Sequence, residues 1–161
     1  MHGPEGIRLR PFCAHATPCP WVSTQQPPSN APPRAWPYSE SVGRALVVKV
    51  TAGDNDPERC NQAFTVAATA AASGVSVSLW LTGEAAWFAL PGRTEKFSLP
   101  HAAPLADLLA GVLAAGTVTV CTQCAARRDI TPAGVIDGIR IAGAATFVAE
   151  ALADGVQALV Y

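Results

Sequence analysis

In the stretch VTVCTQCAARR, Cys121 and Cys124 stand three residues apart, with Arg127 and Arg128 just beyond them. A CxxC pair serves three kinds of chemistry: thiolate coordination of a metal, thiol–disulfide exchange, and carriage of sulfur as a persulfide. Which one applies depends on where the pair sits. The alternating run TVTV leads into Cys121, so the pair falls where a strand gives way to a helix. A thiol there faces the partial positive charge of unbonded helix amides, and arginines in the next turn add to it. Both effects favour thiolate, the form that attacks sulfur. Thr122 and Gln123, between the cysteines, join Arg127 and Arg128 as supporting residues. A single cysteine beside a strand is often a small apolar core residue, but a pair at a strand-to-helix turn suits chemistry better.

A turn of this kind needs a sheet to present it. RALVVKV is a short β-branched apolar run that reads as a buried strand, and TAGDNDPER as a loop entering a helix. Asp56 suits the cap of that helix and Pro57 its first turn. It runs over about 57–73 with Ala63, Phe64, Val66, Ala67 and Ala70 at helical spacing, and Gly74 stops it. VSVSLWLTG alternates as a second strand, EAAWFALPG is a short helix stopped by Pro91 and Gly92, and RTEKFSLPHAAP is a polar connection. LADLLAGVLAAG is a second amphipathic helix, TVTV the third strand, and GVIDGIRIAG a further strand or a tight turn. AATFVAEALADG is the last helix and VQALVY the final strand.

Strands alternating with helices imply right-handed crossovers, hence a mostly parallel sheet with helices on both faces: a three-layer α/β/α sandwich. Reactive groups in such sheets collect at the carboxyl ends of the strands. Three strand ends then share one edge: Gly53 and Asp54, then Thr82, Gly83 and Glu84, then Cys121 to Cys124. The first two ends are expected to form a pocket beside the cysteines.

Half of the 161 residues are apolar, enough for one domain with a real core. The composition changes near residue 43. Residues 1–42 hold most of the fourteen prolines, in runs such as TPCPWVSTQQPPSNAPPRAWP, with no period that a helix or strand can use. They read as a disordered tail, because ordering costs about 1–2 kcal/mol per residue and little apolar surface would be buried in return. Residues 43–161 read as the folded domain.

A net charge of −1 supplies no broad basic field for holding nucleic acid directly. With no apolar run of about 18 residues and no secretory leader, no membrane partner is expected and the chain reads as cytoplasmic. Five cysteines, an odd number, in a reducing compartment point to chemistry or metal more than to a disulfide framework.

Zinc would need four ligands, and beyond the CxxC these would have to be drawn from Cys13, His15 and Cys19 in CAHATPC, so no metal is expected. A thioredoxin-like oxidoreductase carries its CxxC after an early strand with a proline opposite, and Pro132 is poorly placed for that. TAGDNDPE matches neither GxGxxG nor GxxxxGK[ST], so no nucleotide cofactor is expected. His101 reads as a solvated loop residue, and Asp54, Asp56 and Glu58 as acids at a helix start. Trp80, Trp87 and Phe88 read as core or subunit interface, since no basic residues interleave with them. LADLLAGVLAAG and EAAWFAL carry more apolar surface than a small monomer needs to hide, which points to self-assembly.

From Arg44 to Tyr161 the chain resembles the DsrE/DsrF-like family: a strand ending VKVTAGDNDPER, a helix, VSVSLWLTGEAAW, a helix ending in glycine, VTVCTQCAARRDI, and the late IRIAGAATFVAEAL. The resemblance implies a parallel α/β sandwich assembled as a homotrimer or homohexamer. It also implies, for sulfur-relay members, a persulfide on the cysteine at this turn, with sulfur donor and acceptor proteins as partners and no cofactor. On this register Cys121 stands at the carrier position, and Cys124 matches the second cysteine of relatives that read CxxC. The chain departs from the pattern twice: the proline-rich segment with Cys13 and Cys19 lies outside it, and Asp129 stands where many relatives have glycine. The expectation is a sulfur carrier or sulfurtransferase relaying persulfide sulfur through Cys121. A thiol–disulfide protein using both cysteines, and a non-catalytic oligomeric binding module, stay open as alternatives.

Overall fold

In the computed structural model, which describes residues 44–161, five parallel strands form one sheet. They are β1 (Ala45–Val50), β2 (Ser76–Leu81), β3 (Thr117–Cys121), β4 (Ile139–Ala142) and β5 (Val156–Val160), in the order β4-β3-β2-β1-β5. The helices are α1 (Pro57–Ala72), α2 (Leu105–Ala115), α3 (Thr122–Ala126) and α4 (Ala144–Ala151). The expected tail over 1–42, with Cys13, His15 and Cys19, lies outside the described residues.

Local chemistry explains most of the boundaries. Asp56 caps α1 by accepting the Arg59 amide at 3.3 Å, Pro57 opens it, and Gly74 beyond its end takes φ +80°. GVIDGIRIAG settles as a strand, β4, entered through Gly138 at φ +86°. EAAWFAL is helical but wound as a 3₁₀ segment over Gly83–Ala89, and the polar connection contains a second 3₁₀ turn at Thr94–Lys96. Such winding suits a short piece that is followed at once by Pro91.

Strand order dictates how the layers are populated. Right-handed crossovers that step steadily from β1 to β4 put their helices on one face. The final step returns past β1 to β5 and puts α4 on the other. On the first face Val48, Val50, Leu79, Leu81, Val118 and Val120 pack with Phe64, Phe88, Leu105, Leu109 and Val112, all buried. α2 and the 83–89 segment thus direct their apolar surface into this core rather than outward. The exposed large apolar side chains among the described residues are Val148 on α4, Leu152 at its C-cap and Val160 on β5.

The second face is built differently. Strand register aligns Lys49, Trp80, Thr119 and Arg140 in one row across β1, β2, β3 and β4. α4 has no buried residue, and two of its side chains fasten it to that row. Phe147 meets the Trp80 ring edge-on at 5.3 Å and lies under Lys49 Nζ at 4.9 Å. Glu150 accepts hydrogen bonds from Ser78 Oγ at 2.7 Å and Trp80 Nε1 at 2.8 Å, and pairs with Arg140. No helix among the described residues is long and apolar enough to cross a membrane.

Candidate functional site

Strand alternation delivers Cys121. In β3 the side chains of Val118 and Val120 enter the first core, so Thr119 and Cys121 fall on the α4 face, with Cys121 half-buried at the strand end. α3 begins at the next residue. Thr122 and Gln123 are exposed on its first turn, while Cys124 and Ala125 turn inward and are buried. The register continues from Thr119 beside Arg140 to Cys121 beside Ala142, so the thiol stands one step above the polar row.

The two cysteines differ in surroundings. No capping hydrogen bond of good geometry closes at Cys121, yet several groups act on its sulfur. Burial pushes its pKa up, but the amide and thiol of Cys124, the Gln123 amide and the Lys49 ammonium outweigh this and hold it below the ordinary thiol value. The sulfur of Cys124 accepts the amide N–H of Gly83 at 3.2 Å. Cys60, the third free cysteine among the described residues, is fully buried in α1. Burial, with repulsion from Asp54 and Asp56, pushes it up to about 12, so it remains a neutral thiol.

Gly83 is placed by necessity. It adopts φ +52°, and a Cβ there would lie 2.6 Å from the Thr51 carbonyl oxygen. Glu84 N donates to that same carbonyl at 3.0 Å, and a Cβ on Gly53 would lie 2.9 Å from Glu84 Cβ. The β1 and β2 ends are therefore in backbone contact, which sets Gly83 against Cys124. Thr82 is buried and bonds Val50 O through Oγ1 at 2.9 Å, tying the same two ends together. Asn55 Oδ1 accepts the Gly53 amide at 2.8 Å and holds the loop in which Asp54 is exposed.

Of the expected pocket residues, Gly83 meets Cys124, Glu84 reaches α3 through Arg128, Gly53 and Thr82 join the β1 and β2 ends, and Asp54 is exposed. Arg128 pairs with Glu84 Oε1 at 2.6 Å, donates to the Cys124 carbonyl at 3.3 Å and lies over the Trp87 ring at 5.7 Å. It clamps α3 to the loop after β2 rather than presenting its charge to Cys121. Arg127 is exposed, and Asp129 takes φ +53°, the left-handed conformation that suits glycine and that Asp tolerates better than most residues. His101 is exposed on a separate cleft with Asn61, Thr65 and Tyr161.

The cation acting on Cys121 is Lys49, which the sequence reading did not single out. A signal was there: Lys49 is the lone charge in an otherwise apolar LVVKV, at a register position that faces the same side as Thr119 and Cys121. Trp80, Arg140, Phe147 and Glu150 complete its surroundings. Among the described residues no three His, Cys, Asp or Glu side chains gather as a metal site requires.

A family model described as DsrE/DsrF-like matches residues 44–161. No curated protein matches the chain. Among solved structures, that of the ychN protein from E. coli is similar, with a TM-score of 0.62 and 18% identity over 73% of this chain and 99% of that one. At that identity the likeness speaks for the fold alone, and it agrees with the parallel five-stranded sheet.

Proposed function

Since the chain belongs to the DsrE/DsrF-like family, we propose that it is a sulfur carrier or sulfurtransferase in which Cys121 accepts sulfane sulfur and hands it on. The Cys121 thiolate attacks the outer sulfur of a donor persulfide, the donor's S–S bond breaks, and the donor leaves as a thiol. An acceptor thiolate then attacks the outer sulfur of the Cys121 persulfide, and Cys121 leaves as thiolate. No net oxidation occurs, and no cofactor is required.

The observation that carries this reading is the half-buried Cys121 sulfur at the strand end, held toward thiolate by Cys124, Gln123 and Lys49. Arg128 and Glu84 support it by fixing α3, Gly83 by holding Cys124, and Gly53 and Thr82 by joining the β1 and β2 ends, while Thr122, Arg127 and Asp54 are exposed. Sulfur donor and acceptor proteins are the proposed partners. The exposed Val148, Leu152 and Val160 support assembly as a homotrimer or homohexamer. Free thiols suit a reducing, cytoplasmic setting.

Intact-mass measurement after incubation with a persulfide donor tests the reading. One added sulfur, mapped to Cys121 and absent in Cys121→Ser, is expected. A disulfide-exchange role is favoured instead by the placing of two free thiols three residues apart across the first turn of α3. It predicts turnover of a disulfide substrate that either substitution abolishes. A chain that does neither is a binding module.

A further inference from the structure

Cys124 does more in this site than accompany Cys121. It follows Cys121 by three residues across the first turn of α3, and its amide and thiol are among the groups that hold the Cys121 pKa down. Its own sulfur receives the Gly83 amide at 3.2 Å, from a residue at φ +52° where any Cβ would lie 2.6 Å from Thr51 O, so only glycine fits that place. That N–H fixes where the Cys124 sulfur sits relative to the strand end. The two sulfurs are also reached from different sides. Cys124 is 8% exposed and buried under the first turn of α3, whereas Cys121 is half-buried, with part of its surface in solvent. Seen from below, the near atom of a Cys121 persulfide is the inner sulfur; an outside thiol meets the outer one.

We propose that Cys124 discharges the Cys121 persulfide within the chain, releasing hydrogen sulfide and closing a Cys121–Cys124 disulfide. Cys124 Sγ attacks Cys121 Sγ, forming the bond between them. The bond from Cys121 Sγ to the outer sulfur breaks, and the outer sulfur departs as hydrosulfide with the proton that Cys124 gives up. The sulfane sulfur is reduced by two electrons, and the two cysteines are oxidised to a disulfide by the same two. A dithiol reductant reopens the pair. The sulfur therefore has two exits: transfer to an acceptor when one docks, and release as sulfide when none does. This step rests on the persulfide reading of Cys121.

The test uses the full chain, reduced, loaded with glutathione persulfide and then desalted into oxygen-free buffer without reductant. Wild-type protein is expected to lose the added sulfur while sulfide appears in equal amount, and to end two hydrogens lighter than the reduced chain, with peptide mapping placing the disulfide at Cys121–Cys124. Cys124→Ser and Cys124→Ala, each checked for native circular dichroism, should load and keep the sulfur at least about tenfold longer. Wild-type protein that holds its sulfur as long as the variants, or releases sulfide without closing that disulfide, overturns the proposal and leaves the relay reading intact. If Cys121 loads in none of the three proteins, both fall.

Discussion

The Glu150 carboxylate accepts the indole N–H of Trp80 at 2.8 Å, joining the helix that has no buried residue to the middle of the sheet. Burial alone would raise the Glu150 pKa, but the bonds from Ser78 and Trp80 and the pairing with Arg140 hold it below the ordinary carboxylate value. A depressed carboxyl contributes stability that is fully present above its unfolded pKa and is lost as pH falls through the folded one. Acidification below about pH 4.3 should therefore loosen α4 before the opposite face gives way. Hydrogen exchange over residues 144–151, corrected for intrinsic rates, should show opening in acid for wild-type protein. In Glu150→Gln that segment should be open already at neutral pH, with little further change. Equal protection of α4 in both proteins across the range would contradict this.

Lys49 gives the thiol a separable electrostatic partner. In Lys49→Met the apolar stem stays against Phe147 while the charge acting on Cys121 is removed. The Cys121 pKa should rise, so alkylation by iodoacetamide at about pH 6.5, where a thiol of pKa about 8.5 is only about 1% thiolate, should slow several-fold. Cys121 should also react faster than the buried Cys124 in wild-type protein. Peptide mapping of the alkylated chain decides both points, and equal rates at the two cysteines would remove the electrostatic argument for Cys121.

What was legible beforehand was what local pattern controls. Asp56 and Pro57 announce α1, TVTV announces β3, and the strand–helix alternation implies a parallel sheet whose carboxyl edge carries the cysteines. What escaped depends on register between strands far apart in the chain. Nothing in LVVKV alone sets Lys49 beside Trp80, or Thr119 beside Arg140, because a slip of one residue would send each to the other face. Arg128 was legible as a charge near the thiols, but not as a clamp, because Glu84 comes from a strand end 44 residues away in sequence. The unequal covering of the two faces was hidden for the same reason: it follows from strand order, which alternation alone does not fix.

Two left-handed residues give opposite expectations. Gly83→Ala forces a Cβ to within 2.6 Å of Thr51 O at φ +52° and should cost about 2–4 kcal/mol, displacing the amide that binds Cys124. Asp129 already carries a side chain at φ +53°. Asp129→Gly relieves that conformation but makes the unfolded chain freer, so stability should change by less than about 1 kcal/mol, whereas Asp129→Val should cost about 1–2 kcal/mol. Denaturant titrations of the three variants measure these differences. A tolerated Gly83→Ala would mean that the β1 and β2 ends yield more easily than their backbone contacts imply.

Assembly has its own signature in the surface. Leu152 is 79% exposed at the end of α4, and Val148, on the same helix, is 49% exposed. Residues four apart share a helix face, so the two form one apolar strip on the helix that, among the described residues, lies alone on its side of the sheet. If that strip is covered by further copies of the chain, Leu152→Glu places a charge where each copy would bury an apolar side chain, and association should weaken by well over tenfold. The substitution removes no intrachain packing of consequence, so circular dichroism and thermal unfolding of the dissociated protein should still show a folded domain. Light scattering at micromolar concentration should give a trimer or a multiple of it for wild-type protein and a monomer for Leu152→Glu. A wild-type monomer would end the assembly reading. A variant that remains assembled would shift the interface to the exposed β5 edge around Val160.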